Sequence, residues 1–351
     1  MKTLRYVVDA DQLGTNEAER VLDEVAAILR RGGTVALPTE TVYGLGANAL
    51  DAKAVAAIFA AKERPAWDPV IVHVADETML RSVVAEVPGA ARNLMQAFWP
   101  GPLTLLLPRS GAVPDSVTAG RPLVAVRMPA HPVMLEAIRR AGVPVAAPSA
   151  NRFGHVSPTT AAHVLEDLDG RVDAVVDAGP AVHGVESTVI DPNLWPMMIY
   201  RPGAVTIEQI RAIVRDVEFY GERHKLVSDS VESLPSPGVG IRHYAPRARL
   251  LLVEGEADEL AGRLRDKADE LVNERVGVMW PDGLQNDAAG LNSVEIFPWG
   301  RWGYPEELAQ RVFAGLRTLD AAGCSVILCP MPPEDGIGGA IRDRLRKAAR
   351  V

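Results

Sequence analysis

A chain of 351 residues, 48% hydrophobic and 23% charged, has enough apolar material for two ordinary globular domains and too much for a disordered segment. Its formal net charge of −8 excludes a protein that coats nucleic acid by bulk electrostatics, so any anion it handles must meet cations gathered locally. No stretch approaches the roughly 20 apolar residues that span a bilayer, and the chain reaches Asp9 and Asp11 before any apolar run; it reads as soluble, unexported and cytoplasmic.

In chain order, residues 16–31 place Val21, Val25, Ile28 and Leu29 on one helical face, with Asn16 as N-cap and Gly32 as the stop. A strand over 34–38 follows, then a helix after Asp51 with Val55, Ile58 and Phe59 inward. Strands are predicted over 70–74, 103–107, 124–127, 143–147, 174–176 and 188–190, with helices near 132–140, 159–167 and 206–215. Together they form one α/β domain with bounds 1–219. Over 220–248 the periodicity fails, and Pro235, Pro237, Gly238, Gly240 and Pro246 give a linker composition. From 249 to 351, strands at 250–253, 276–280, 294–297 and 326–328 alternate with helices at 258–273, 306–321 and the C-terminus, the pattern of a small parallel-sheet domain. After its first strand the chain reads Glu254-Gly-Glu-Ala-Asp258, acidic and without a dinucleotide fingerprint, so this domain is assigned a structural or regulatory part.

The only cysteines, Cys324 and Cys329, fall in one strand-like run at a separation that puts them on opposite faces, which excludes a disulfide framework. The seven histidines show no metal-ligand spacing, so no protein motif calls for a metal. A P-loop sequence is also absent, and any ATP site must be built otherwise.

Several apolar runs end in polar residues bracketed by Pro and Gly. Pro38-Thr-Glu-Thr-Val-Tyr-Gly-Leu-Gly46 displays Thr39 and Thr41 in a turn; Lys62 and Arg64 precede Pro65 at a helix end. Ser149 and Asn151 follow the strand ending at Ala147, at the sheet edge where α/β ligands bind. Ser157 reads equally as a helix N-cap or a ligand contact. Arg127 and Arg201 close apolar runs and suit bidentate carboxylate or phosphate recognition, while His73, taken alone, is more often a core residue.

Taken in order, the motif from Pro38 to Gly46, Lys62-x-Arg-Pro65, Trp99-Pro-Gly-Pro-Leu-Thr104, Val124-Ala-Val-Arg-Met-Pro129, Ala147-Pro-Ser-Ala-Asn151, Glu186-Ser-Thr-Val-Ile-Asp191 and Arg201-Pro-Gly-Ala204 resemble the YrdC-like domain of threonylcarbamoyl-AMP synthases. The C-terminal extension is similar to that of the two-domain form. The resemblance implies a twisted mixed-sheet YrdC-like domain with a large basic cavity, followed by a Rossmann-like domain. It also implies a nucleotidyltransferase that makes L-threonylcarbamoyladenylate and pyrophosphate from L-threonine, bicarbonate and ATP, with Mg²⁺ on the ATP. The product would feed N6-threonylcarbamoyladenosine formation next to the tRNA anticodon, through a transferase machinery and with a weak tRNA contact. The family's paired signature falls on Lys62, Arg64, Ser149 and Asn151, the implied catalytic set. Thr41, His73, Arg127, the Ala147 backbone and Ser187 map to the threonine pocket, and Arg64, Asp68, Leu123, Ser149, Ser157, Arg201 and Tyr244 to the ATP pocket. Asp68 stands where many relatives have Asn, and Leu123 where Thr is common, so a polar ATP contact is lost or replaced at each.

Two expectations follow from these positions. Lys62 and Arg64 are taken as solvent-facing cations that act on phosphate and carry little stability. Arg242, His243 and Tyr244, between stiff flanks, are taken as a lid over the cavity. Two rivals are a carbamoyl-transfer domain using carbamoyl phosphate, which would bring Cys-x-x-Cys pairs that this sequence lacks, and an RNA-binding module, which the net charge opposes.

Overall fold

The computed structural model describes residues 2–220, 244–284 and 294–350, and these fall into two compact units. The first is built from the described residues within 1–153, 158–182 and 186–240, the second from those within 154–157, 183–185 and 241–351.

The first unit carries an eleven-stranded mixed sheet. Its strands are β1 (Leu4–Val7), β2 (Val35–Leu37), β3 (Gly44–Asn48), β4 (Ile71–His73), β5 (Leu103–Pro108), β6 (Leu123–Arg127), β7 (Val145–Ala146), β8 (Ala174–Asp177), β9 (Thr188–Asp191), β10 (Met197–Arg201) and β11 (Val217–Phe219). They lie in the order β1-β8-β2-β3-β7-β4-β6-β5-β9-β10-β11. Towards the β1 end, helices Asn16–Arg30 and Pro132–Ala141 bury Val21, Leu22, Val25, Met134 and Ile138 with Val35, Leu37 and Val176 of the strands. The main core includes Val55 and Ile58 of helix Ala52–Lys62 packed with Val72, Leu105, Val124, Val126 and Ile190. Alternation then turns Ile71, Leu106, Ala125 and Val189 to the opposite face of β4, β5, β6 and β9, where they form a smaller apolar cluster.

Local chemistry explains where the sequence reading shifts. The first helix is capped by Thr15, whose hydroxyl accepts from Ala18 N at 3.3 Å, rather than by Asn16. Ser157 is no cap either: helix Ala161–Leu168 takes its cap from Thr160. β3 was hidden because Gly44-Leu-Gly46 reads as a turn; a Cβ on Gly46 would come within 2.8 Å of Val145 Cγ1, so glycine is what lets β3 lie beside the neighbouring strand.

Among the described residues the second unit holds four strands, β12 (Arg249–Val253), β13 (Val276–Asp282), β14 (Glu295–Arg301) and β15 (Val326–Pro330), all parallel in the order β12-β15-β13-β14. Leu260, Ala261 and Leu264 of helix Ala257–Asp269 pack on Val276, Val278, Val326 and Leu328. Cys329 lies in β15, but Cys324 precedes it; both are free and buried. Residues 154–157 and 183–185 group with this unit although the sequence places them inside the first domain. Ala245 N donates to Gly154 O at 2.9 Å, Arg317 Nη2 to Val156 O at 2.6 Å, and Gly184 lies so near the backbone of Ala309 and Gln310 that a Cβ would not fit.

Candidate active site

Period-two alternation and strand register bring a polar row to one face of the first unit's sheet. His73 at the end of β4 is the register partner of Arg127 at the end of β6, and both stand two residues beyond the apolar pair Ile71 and Ala125. Thr104 of β5 pairs with Val189 of β9, and Ser187 lies two residues before Val189 on the same face. All four polar residues are at least 97% buried. A buried polar row on an otherwise apolar sheet is costly unless its members are bonded.

Arg127 is the hub. Its Nε donates to Gly101 O at 3.1 Å and Nη1 to Thr41 Oγ1 at 2.9 Å, while Nη2 lies 2.6 Å from Glu40 Oε1. Glu40 also accepts from Ala130 N at 3.0 Å. Burial pushes the Glu40 carboxyl up, but the Arg127 charge and these hydrogen bonds outweigh it and hold the group below its ordinary range, ionised. A guanidinium has five N–H groups, and three such contacts leave it donors to spare for a carboxylate. His73 is pushed down to about 3, first by burial and then by the Arg127 charge, so its imidazole is neutral near pH 7. His73 Nδ1 has no partner among the described residues.

The threonine hydroxyls can be assigned by counting protons. Thr39 Oγ1 donates to Val42 O at 2.6 Å, so the proton in its 2.8 Å contact with Thr41 Oγ1 comes from Thr41. Thr41 gives its proton there, accepts from Arg127, and retains one lone pair. At the far end of the row, Arg201 grips Ser187 through its carbonyl, from Nε at 3.0 Å and Nη2 at 2.9 Å, and through Oγ, from Nη2 at 3.0 Å. Gly203 closes this grip, because a Cβ there would run into the backbone of Glu186, Ser187 and Thr188.

Lys62 and Arg64 differ from the reading of both as solvent-facing. Lys62 is 1% exposed, and its Nζ donates to the carbonyl oxygens of Ser149 and Asn151. Burial, reinforced by the Arg64 charge, pushes its ammonium well below the ordinary lysine range. The helix-end lysine is therefore a strut that fixes the Ala147-to-Asn151 segment through two backbone carbonyls. Arg64 pairs with Asp68 at 2.9 Å and donates to the carbonyls of Asp68 and Pro69 at 3.2 and 2.8 Å. Burial raises the Asp68 carboxyl against the opposing charges of Arg64 and Lys62. Asp68 thus fastens the arginine it follows, a part that Asn could fill only without the charge.

The other expected residues are distributed as follows. Ser149 is half-buried and Asn151 buried at the end of this strut; Ala147 is buried, its N–H donating to Ile71 O at 2.9 Å. Leu123 opens β6 and packs on the cluster of Ile71, Leu106, Ala125 and Val189, adding apolar contact where a hydroxyl was expected. Ser157 and Tyr244 belong to the second unit. Tyr244 is buried there at φ 66°, its ring 5.6 Å from that of Phe313 and under the Arg344 guanidinium at 5.3 Å. Arg242 and His243 lie outside the described residues. Glu40, Gly101 and Thr104 were missed; each stood inside a motif that the sequence displayed without giving it a part.

Comparison with known proteins bears on this arrangement. A family model described as "Telomere recombination" matches residues 27–203, and one described as "Threonylcarbamoyl-AMP synthase, C-terminal domain" matches 205–350. A threonylcarbamoyl-AMP synthase of Bacillus subtilis is 42% identical over 99% of this chain and 98% of its own, and one of Pyrococcus abyssi is 43% identical over 92% of each. The chain belongs to the threonylcarbamoyl-AMP synthase family. It is accordingly an enzyme of the nucleotidyltransferase type. Among solved structures, P. abyssi Sua5 complexed with L-threonine matches with a TM-score of 0.88 at 38% identity, covering 99% of this chain and 98% of that one. That match extends over both units described above, the large mixed sheet and the smaller parallel one. Among the described residues no helix is long and apolar enough to cross a membrane.

Proposed function

We propose that the chain condenses L-threonine, bicarbonate and ATP into L-threonylcarbamoyladenylate and pyrophosphate, supplying the carbamoyl donor for a transferase that modifies tRNA beside the anticodon. The observation that carries this reading is the polar row. Arg127 has donors for a carboxylate, Thr41 a lone pair for an ammonium or hydroxyl, and His73 an uncharged, unpartnered nitrogen. A small zwitterion with a side-chain hydroxyl matches that set. The related protein of known structure is described with L-threonine bound.

In this reading bicarbonate loses hydroxide to give carbon dioxide; the neutral threonine amine attacks its carbon, the C–N bond forming as one C=O π bond opens, and the amine proton leaves with the hydroxide as water, giving a carbamate. A carbamate oxygen then attacks the α-phosphorus of ATP, the P–O bond to the β-phosphate breaks, and pyrophosphate leaves with the electron pair. No covalent enzyme nucleophile is needed, so the protein works by positioning and by opposing charge. Arg64 and Arg201 are the cations nearest to such a task, while Lys62 holds Ser149 and Asn151 in place for it. Mg²⁺ would enter with ATP, as part of that substrate.

The test is pyrophosphate release with each substrate omitted in turn. Release should require threonine and bicarbonate together, with serine poorer by about 1–3 kcal/mol for its missing methyl. Full release without an amino acid would refute the reading.

A further inference from the structure

The motif Trp99-Pro-Gly-Pro-Leu-Thr104 is left without a task by the reaction just described. It touches both ends of the polar row. Gly101 O receives Arg127 Nε at 3.1 Å, and Thr104 Oγ1 lies 2.8 Å from Ser187 Oγ. Pro102 O accepts from Thr188 N at 3.0 Å, which ties the start of β9 to the same segment. Trp99 Nε1 donates to Leu103 O at 2.7 Å and so folds the segment back on itself.

The hydroxyl pair within this bracket has a proton to spare. Each hydroxyl owns one proton and two lone pairs. Thr104 Oγ1 has no side-chain partner other than Ser187 Oγ among the described residues, and Ser187 Oγ has only Thr104 and Arg201 Nη2. Arg201 can only donate. One shared contact therefore leaves one of the two hydroxyl protons without a protein acceptor, in a place where both residues are at least 99% buried. Thr104 lies within β5, in register with Val189 on one side and level with Arg127 of β6 on the other, whereas Ser187 precedes β9, one residue before its first paired residue Thr188. A spare proton on Thr104 would lie between two paired neighbouring strands, while one on Ser187 lies beyond the last paired residue of the ladder. Thr104 donating is the arrangement that avoids stranding a proton between those strands.

We propose that Thr104 is a positioning residue for substrate binding: by donating into Ser187 Oγ together with Arg201, it fills both Ser187 lone pairs and commits the Ser187 proton to an acceptor oxygen of the amino-acid substrate. This rests on the reading of the row as a threonine site and deepens it. Thr104 itself touches no substrate; it acts through Ser187. The consequence is a coupling between two side chains of which only one meets the ligand.

The experiment is calorimetric titration of L-threonine into the full chain and into Thr104→Val, Thr104→Ser, Ser187→Ala and Thr104→Val/Ser187→Ala. Thr104→Val keeps the branched shape but removes the hydroxyl, and should weaken binding by about three- to tenfold. Thr104→Ser returns the donor and should bind within about twofold of the unaltered chain. In the Ser187→Ala background, Thr104→Val should change the Kd by less than about twofold, because the group it orients is gone. Melting curves and the affinity for a non-hydrolysable ATP analogue report that each variant is folded, and Thr104→Ser carries the test where Thr104→Val is not. Unchanged binding by Thr104→Val, or the same loss with and without Ser187, would overturn the proposal. Absence of threonine binding by the unaltered chain would instead overturn the substrate reading itself.

Discussion

Both units are α/β layers, yet they bury polar groups in different places and to different ends. In the second unit the strands are apolar where they are buried: β13 contributes Val276, Val278, Met279 and Trp280, and β15 is buried throughout. Its buried cations, Arg317, Arg344 and Lys347, sit on helices and are engaged, with Arg317 on Val156 O, Lys347 on Asp343 at 3.0 Å, and Arg344 on Asp343 and the Tyr244 ring. In the first unit, by contrast, His73, Thr104, Arg127 and Ser187 stand on strand faces or beside them, with donors, a lone pair and an imidazole nitrogen not consumed by the protein. Polar groups anchored to neighbours within their own unit hold a fold. Partly engaged ones, in a row, are where a ligand completes the account.

The sharpest way to break this contrast is at its hub. Arg127→Met leaves Glu40 buried without its ion-pair partner, and should cost about 3–5 kcal/mol in urea unfolding and lower threonine-dependent turnover by roughly a hundredfold. Adding Glu40→Gln should recover much of the stability but none of the turnover. Recovery of both would mean the pair is purely structural.

Next in size is Lys62→Met. It strips the donors from two carbonyls, of Ser149 and Asn151, and is expected to destabilise by about 2–4 kcal/mol as well as to slow turnover. A normal unfolding curve with lost activity would restore the view of Lys62 as a phosphate-facing cation.

Acid should act on the same region. His73 falls from an ordinary value of 6.5 to about 3 on folding, so the unfolded chain binds the extra proton between those values, and stability is full above pH 6.5 and lost as pH falls toward 3. Glu40, held below its ordinary value, adds a loss of the same sign at the acid end. Urea midpoints from pH 7 to 4 should therefore decline, and His73→Gln should flatten the slope near pH 6. An unchanged slope in that variant would place the titrating group elsewhere.

The smallest effect is expected from the second unit. Trp299 is fully buried and its Nε1 donates to Leu308 O at 2.8 Å, so Trp299→Phe should cost about 1–2 kcal/mol of stability while leaving the threonine Kd untouched.

Legibility from sequence followed the same divide. Apolar runs announced most strands of both sheets, because a buried strand is written in Val, Leu and Ile; β1, β3, β10 and β11 escaped, β3 because its glycines, required by close packing against Val145, imitate a turn. The motifs marked the region of the site, but the parts of single residues were less readable. A lysine before a proline looks exposed, and only tertiary structure shows Lys62 folded inward onto two carbonyls. Likewise Glu40 lies between two threonines that drew attention as hydroxyls, and its value depends on Arg127, which is far away in sequence. Thr104 ends a motif rich in Pro and Gly, and its meaning lies in one contact with Ser187 on a neighbouring segment. Hydropathy patterning encodes which face is buried, not which buried polar atom keeps a proton in reserve.

The central claim, that the partly engaged row of the first unit binds the amino acid, is tested most directly by titrating L-threonine calorimetrically into the unaltered chain, Ser187→Ala and Trp299→Phe. The account predicts saturable binding by the first, about tenfold weaker binding or more by Ser187→Ala, and no change in Trp299→Phe. Equal binding by all three would contradict it.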